Sequence, residues 1–415
     1  MSESTRRDFL KKTAAASAAL LTPKIATSAP GANDRVRVGI IGPGSRGQEL
    51  LKQIIAVPGV EVVAAADVYR RRLDEAKSIV PGIQTFGDYR QVLDMKDIDG
   101  VIVASPLHIH ARHFVDAIAA GKDLYAEKTM TWSIPEAEKC LAAARNSDRV
   151  IQIGLQHESG GPFLDAKKWM ADGIVGKVTQ VDAWMGRNTP HGHGQWVRQP
   201  APDCTAENVN WQAFLNGRPD KGFDAFRFMN WRLYWMFSGG NITENMIHQI
   251  AWIMSLLNLP LPTAAYMSGG IFSEKDGREV PDTISVTLDF PTETIVTWQS
   301  TFSNKRYGLG QKILGSDGTI EYTAGATDMV RGESPEQIHY YPETVNRPGG
   351  EAITGSNPGV NHMANWIDCM RTRKKPNAPV ELGYASAIAA HMANISYRQK
   401  RRVTLEEARA FQPEF

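Results

Sequence analysis

The sequence predicts two folded parts in series: an α/β part on a doubly wound parallel sheet, then an α+β part on a mostly antiparallel sheet. Three observations carry this. A short, continuously apolar strand beginning at Val36 runs straight into a glycine-rich turn and a helical pattern. Strands and helices then alternate to about Val150. Beyond that point the alternation stops, and strands joined by short turns take over. With 415 residues, 42% hydrophobic and 22% charged, the chain is long enough for two cores.

The elements follow in order. Residues 1–32 read as an address rather than as structure. Ser4-Thr5-Arg6-Arg7-Asp8-Phe9-Leu10-Lys11 precedes a mild apolar run, Ala14 to Leu21, and small residues around Ala26 to Ala32, which is the layout of a twin-arginine export signal. The expected partner is the twin-arginine export machinery, and the expected location is the periplasm or outside the cell. That route moves proteins already folded around a cofactor, so a nucleotide loaded in the cytoplasm would have to stay bound.

Residues 33–150 are the expected nucleotide domain. Val36–Ile41 reads as a buried strand, and Gly42-Pro43-Gly44-Ser45-Arg46-Gly47 opens into the helical Gln48-Glu49-Leu50-Leu51. Gly42 permits the tight turn, Gly44 lets the backbone approach a pyrophosphate, and Gly47 lets helix and strand pack closely. The phosphates then sit at a helix N-terminus, with Ser45 and Arg46 beside them. A second strand, Val60–Ala66, ends at Asp67, about twenty residues beyond Gly47, where a ribose contact belongs. The carboxylate accepts ribose hydroxyls and repels a 2′-phosphate, so the Rossmann domain is expected to take NAD rather than NADP. Arg70, Arg71 and Arg72 one turn on are a solvated helix face or a softening of that choice. The strand Gly100–Ala104 leads into Ser105-Pro106-Leu107-His108-Ile109-His110, and Leu124–Ala126 leads into Glu127-Lys128-Thr129. Ligands of such a sheet bind outside the carboxyl ends of its strands, which is where Ser105, Pro106, His108, His110, Glu127 and Lys128 fall.

Residues 151–415 are the expected catalytic and oligomerisation domain. Strands are predicted over 177–184, 283–290, 294–302 and 311–314, with turns at Pro291-Thr292 and Ser316-Asp317-Gly318; 361–407 is mostly helical. Glu244 and His248 are four apart among apolar neighbours, so on a helix they share a face, where the carboxylate can orient or charge the imidazole. Gln156, Arg187, His191, His193 and Trp235 are the candidate substrate contacts. His191-Gly192-His193 has the look of a metal pair but lacks a third ligand at suitable spacing, so no metal is expected and a loop lining the pocket mouth is the better use. Trp211, Trp231 and Trp235 crowd the approach to Gly239, and flat aromatic faces suit pyranose rings as well as they suit a core.

Composition excludes some partners. Residues 1–30 hold five basic residues against two acidic ones, so the chain beyond them has a formal net charge of −2 in place of +1. That gives no long-range attraction to nucleic acid. Cys140, Cys204 and Cys369 are too few and too scattered for a disulfide framework and read as small buried hydrophobes.

From Val36 onward the chain resembles the glucose-fructose oxidoreductase, inositol dehydrogenase and rhizopine-catabolism (Gfo/Idh/MocA) superfamily, in particular its twin-arginine-exported branch. The family's Thr-Pro and histidine turn is matched by Ser105-Pro106 with His108 and His110. Its Glu-Lys-Pro signature is matched by Glu127-Lys128 with Thr129 in place of proline, and its Gly-Gly-Gly to Asp-x-x-x-His stretch by Gly239-Gly240, Glu244 and His248. The tail, Asn361-His362, Asn365 to Cys369, Arg373 to Asn377 and His391 to Tyr397, is similar to the exported branch. The resemblance implies that Lys128 and His248 flank a reacting carbinol, with Pro106 near the nicotinamide. It also implies a large, open second sheet with a face used for oligomerisation, as a dimer or tetramer, and a C-terminal segment lying against the nucleotide domain.

Lysine can remove a hydroxyl proton when burial and neighbouring cations suit it. Lys128 precedes the helix-capping Ser133-Ile134-Pro135-Glu136, so it lies in a loop held at both ends. Three functions stay open: NAD-dependent oxidation or reduction of a secondary hydroxyl on a sugar or sugar derivative; a redox-neutral glycosidase or lyase that oxidises the sugar only transiently; and a sensor or scaffold that keeps the fold without turnover.

Overall fold

The computed structural model describes residues 35–328, 332–333 and 335–412. The expected export signal, residues 1–32, lies outside the described residues. Among those described, the first sheet has six parallel strands in the order β3-β2-β1-β4-β5-β6: β1 Val36–Ile41, β2 Val60–Ala66, β3 Gln84–Phe86, β4 Gly100–Val103, β5 Asp123–Ala126 and β6 Ile151–Ile153. The order reverses between β1 and β4, and that reversal opens a crevice at the strands' carboxyl ends. The central strands β4 and β5 are buried along their whole length, as their apolar runs require of a sheet covered on both faces.

The second sheet has nine strands in the order β16-β15-β12-β11-β7-β10-β9-β8-β17. They are β7 Val178–Gly186, β8 Ala264–Gly270, β9 Thr283–Phe290, β10 Thr294–Thr301, β11 Leu309–Gly315, β12 Gly318–Ala324, β15 Gln337–Pro342, β16 Ile353–Thr354 and β17 Val403–Thr404; β13 Thr327–Asp328 and β14 Gly332–Glu333 form a separate pair. All its pairings are antiparallel except that of β10 with β7. Alternation decides which face is covered. Ile284, Val286, Leu288 and Phe290 of β9 and Val296 and Trp298 of β10 are buried, whereas Tyr266 of β8 and Ile295 of β10 point outward and are exposed.

One hydrophobic core runs through both sheets, from Ile41, Val63 and Val103 to Trp252, Leu288 and Trp298. The C-terminal segment returns to the first sheet. Helix His362–Thr372 lays Trp366 and Met370 over Gly100, where an added Cβ would lie 2.8 Å from Met370 Cε. Arg373 closes the contact with Asp123 at 2.6 Å. Helix Val380–Gln399, 20 residues long and largely buried, brings Gly383 against Ile153 of β6. Cys140, Cys204 and Cys369 are buried and unpaired. Among the described residues no helix is long and apolar enough to cross a membrane.

Candidate active site

The glycine turn follows β1 directly. Gly42 has φ of 84°, and a Cβ there would lie 2.6 Å from Ser105 N. A Cβ on Gly47 would lie 2.4 Å from Gly42 O, so this glycine sets the approach of helix Ser45–Ile54 to the strand. Gly44 is different. It is extended, and an added Cβ would meet nothing within 4 Å, because that side opens onto the cleft. Helix Ser45–Ile54 has no side-chain cap, which leaves its first N–H groups available to an anion. Asp67 at the end of β2 accepts the Tyr69 N–H at 2.9 Å and lines the same cleft. Burial pushes its carboxyl up to about 6, against the opposing effects of that hydrogen bond and of Arg72. Of the three arginines that follow, Arg72 lines the cleft, ion-paired to Glu75 at 2.7 Å, and Arg71 bonds Asp203 at 2.7 Å.

The carboxyl ends of β4 and β5 form the floor. Ser105 and Pro106 line the cleft, and His110 lies within hydrogen-bond distance of both Ser105 O, at 2.6 Å, and Thr129 O, at 2.7 Å. Glu127, buried, accepts Arg46 Nε at 2.9 Å and the Lys128 N–H at 3.2 Å. The Lys128–Thr129 peptide is cis. Where the family signature has proline, the Thr129 hydroxyl donates to Thr243 O at 2.7 Å and fastens the β5 loop to the segment carrying Glu244.

That segment is a π-helical turn, Ile242–Met246, leading into helix Ile247–Leu256. The extra residue per turn changes the expected pairing. Glu244 does not bond the His248 imidazole. Its carboxylate instead accepts Arg232 Nε at 2.9 Å and Lys128 Nζ at 3.5 Å, and Lys128 Nζ also donates to Glu244 O at 3.0 Å. Burial alone would raise Glu244, but Lys128 and Arg232 outweigh it and bring the carboxyl down to about 2. His248 stacks on His157, with centroids 5.4 Å apart at 29°. Burial, then the charge of Lys128, holds its imidazole well below the ordinary histidine range, so it is neutral, and the carboxylate expected to orient or charge it does neither by direct contact.

Gln156 and Arg187 line this inner end of the cleft, and Gln156 Oε1, Arg187 Nε and His248 Nδ1 are buried without a protein partner. Four other expected contacts lie elsewhere. His108 is sandwiched between Phe214 and Phe237, with Nε2 2.6 Å from Phe214 O, because the short 3₁₀ turn Leu107–Ile109 aims it into the aromatic core. His191 and His193 stand exposed at the tip of their loop. Trp235 packs on Tyr397 beside a separate small cavity that His391 and Asn394 also line. The tryptophans in the cleft wall are Trp196 and Trp231. Sequence reasoning also missed Arg232 and Arg198 as cleft residues, and His157 as the ring behind His248; only the placement of Arg232 just after Trp231 hinted at it.

The cleft encloses about 400 Å³. Its outer end offers an uncluttered glycine backbone, a free helix start and the Asp67 carboxylate; its inner end gathers buried polar groups without partners. A dinucleotide fits that donor set, with Gly44 and Ser45 at the phosphates, Asp67 at the ribose and Ser105-Pro106 near the nicotinamide. These features define a dinucleotide-dependent oxidoreductase by class. The chain belongs to the Gfo/Idh/MocA family: residues 36–155 match its "Oxidoreductase family, NAD-binding Rossmann fold" and residues 211–405 its "Oxidoreductase family, C-terminal alpha/beta domain".

Among relatives, a "Glycosyl hydrolase family 109 protein" of Shewanella baltica is 27% identical over 226 residues, 46% of this chain and 49% of that protein. The chain thus matches about half the length of such curated relatives. Among solved structures, a levoglucosan dehydrogenase in complex with NADH and levoglucosan superimposes with a TM-score of 0.68 at 16% identity, covering 89% of this chain and 99% of that one. An aldose-aldose oxidoreductase of Caulobacter crescentus gives a TM-score of 0.67 at 19% identity, with coverage of 89% and 99%. At those identities the likeness establishes the fold.

Proposed function

We propose that this chain is an exported, NAD-dependent oxidoreductase that acts on a secondary hydroxyl of a sugar or sugar derivative while holding its cofactor tightly. The observation that carries the reading is the meeting of Lys128, Glu244, His248, Gln156 and Arg187 at the inner end of the cleft that begins at Gly44 and Asp67. When bound there, the nicotinamide supplies an acceptor or donor of hydride at the carbinol carbon. The protein does the rest. Lys128 and His248 act on the carbinol oxygen as an acid–base pair: the neutral imidazole is free to take the hydroxyl proton, and the lysine hydrogen-bonds the same oxygen as charge develops on it. Glu244, itself fixed by Arg232, holds Lys128 in place. Gln156 and Arg187 supply unpartnered polar atoms for the remaining hydroxyls, and Trp196 and Trp231 offer flat walls to a sugar ring. Asp67 supports NAD over NADP, since a second negative charge beside it is repelled. Arg6-Arg7 and the apolar run after them support twin-arginine export, and the outward Tyr266 and Ile295 support a homo-oligomer, dimer or tetramer.

A second reading keeps every residue in its role. The glycosidase name of the matched Shewanella protein favours transient oxidation that leads to cleavage of a glycosidic bond with no net redox change. A panel of free sugars and chromogenic glycosides separates the two. NADH accumulation from a free sugar supports the dehydrogenase; aglycone release without net NADH supports the glycosidase; no response from any member overturns both.

A further inference from the structure

We propose that Arg198 is a phosphate clamp, carried across the cleft from the second domain onto the glycine turn, and that it retains the dinucleotide between turnovers. The proposal rests on the cofactor reading above and deepens it. The Arg198 guanidinium donates to Ser45 Oγ at 2.6 Å across 153 positions of sequence, and Ser45 opens the helix whose N-terminus faces the cleft. The placement is built. Asn230, 1% exposed, grips the Arg198 backbone from both sides: Arg198 N–H donates to Asn230 Oδ1 at 2.7 Å, and Asn230 Nδ2 donates to Arg198 O at 2.9 Å. Just upstream, Arg278 donates to Gln195 O at 3.0 Å, and Trp196, at φ of 72°, packs edge-on against Phe302. The tip of the loop at His191 and His193 stands in solvent while its returning limb is pinned.

Charge selects the ligand. Arg46 pairs with Glu127 and Glu49, Arg72 with Glu75, and Arg232 with Glu244. Among the described residues Arg198 has a neutral hydroxyl at the turn and no carboxylate within ion-pair distance. It therefore presents a cation without an ion-pair partner, Glu49 acting on it only from a distance, beside the helix start, which itself favours an anion. A pyrophosphate oxygen entering over Gly44 is a stronger acceptor than the Ser45 hydroxyl, because both partners of the new bond are charged. The clamp comes from the wall opposite the turn, so the dinucleotide leaves only when Arg198 lets go. That property suits an enzyme working where free NAD is scarce.

The test uses full-length protein stripped of nucleotide, with ADP and adenosine titrated calorimetrically into wild type, Arg198→Ala, Arg198→Lys and Asp67→Ala, and NAD release followed by chase. Arg198→Ala is expected to weaken ADP by roughly ten- to hundredfold, the range for a hydrogen bond to a charged group, to leave adenosine unchanged and to speed NAD release. Arg198→Lys recovers part of the loss, and Asp67→Ala weakens both ligands alike. Equal weakening of ADP and adenosine by Arg198→Ala, or no weakening of ADP, overturns the clamp alone. Wild type that binds neither ADP nor NAD overturns the cofactor reading and the clamp with it.

Discussion

Glu244 sets the charge of the inner cleft, since it is a buried carboxylate facing two cations. Its folded-state carboxyl, lowered to about 2, makes ionisation favour the fold above the ordinary carboxylate value of 4.5, and that contribution is lost as pH falls from there through about 2. Glu244→Gln is expected to cost about 3 kcal/mol at neutral pH and to flatten this acid limb, as read by denaturant unfolding across pH. Asp67 has the opposite sign. Raised to about 6, it favours the fold below the ordinary value of 3.8, and this is lost as pH rises through about 6. The ionised form that accepts ribose hydroxyls dominates only above about 6, so adenosine affinity should climb between about pH 5 and about pH 7, and Asp67→Asn should abolish the climb. A flat titration in wild type would count against Asp67 as the ribose contact. At this scale the sequence exposed residues that lie next to their motif, such as Lys128, Asp67 and His248. It did not expose Arg232 or Arg198, whose roles arise from chain brought in from far away, nor His157, whose stacking on His248 depends on how two distant segments pack. His108 was misplaced because a single 3₁₀ turn reverses which side of the strand end it faces.

The glycine turn and the π turn are the elements that make the site. The three glycines do different jobs, and substitution separates them. Gly47→Ala drives a Cβ into the Gly42 carbonyl and should lower stability by about 1–3 kcal/mol, the range for overpacking. Gly44→Ala fits the empty space and should leave the melting temperature unchanged while weakening nucleotide binding, because the methyl fills the phosphate path. Equal thermal loss in both variants would contradict this division. The turn was legible because its glycines must follow an apolar strand at fixed spacing. The π turn Ile242–Met246 was not, since its apolar pattern also suits an ordinary α-helix, and so the expected Glu244–His248 contact became a Glu244–Arg232–Lys128 contact. Strands β9 and β10 were readable from alternation and the Pro291-Thr292 turn, whereas β8, Ala-Ala-Tyr-Met-Ser-Gly-Gly, has too little β-branched character to announce itself.

Across the whole molecule, the second sheet does two things. Its covered face packs on the helices that present His248 and close the cleft, and its outward face carries Tyr266, Phe272, Ile295 and Tyr307 in the open. Exposed apolar side chains gathered on one face predict association of copies through it, which light scattering of the full chain would register as a dimer or tetramer. The central claim concerns the cleft: that Lys128 and His248 work on a sugar carbinol beside a bound nicotinamide. Its most direct measurement is mass spectrometry of the nucleotide on NAD-loaded protein after incubation with sugars and glycosides deuterated at the carbinol carbons. Deuterium appearing in the bound nicotinamide with wild type, and absent with Lys128→Ala that still carries its nucleotide, is the predicted result. No deuterium transfer from any substrate to fully loaded wild type would contradict the account.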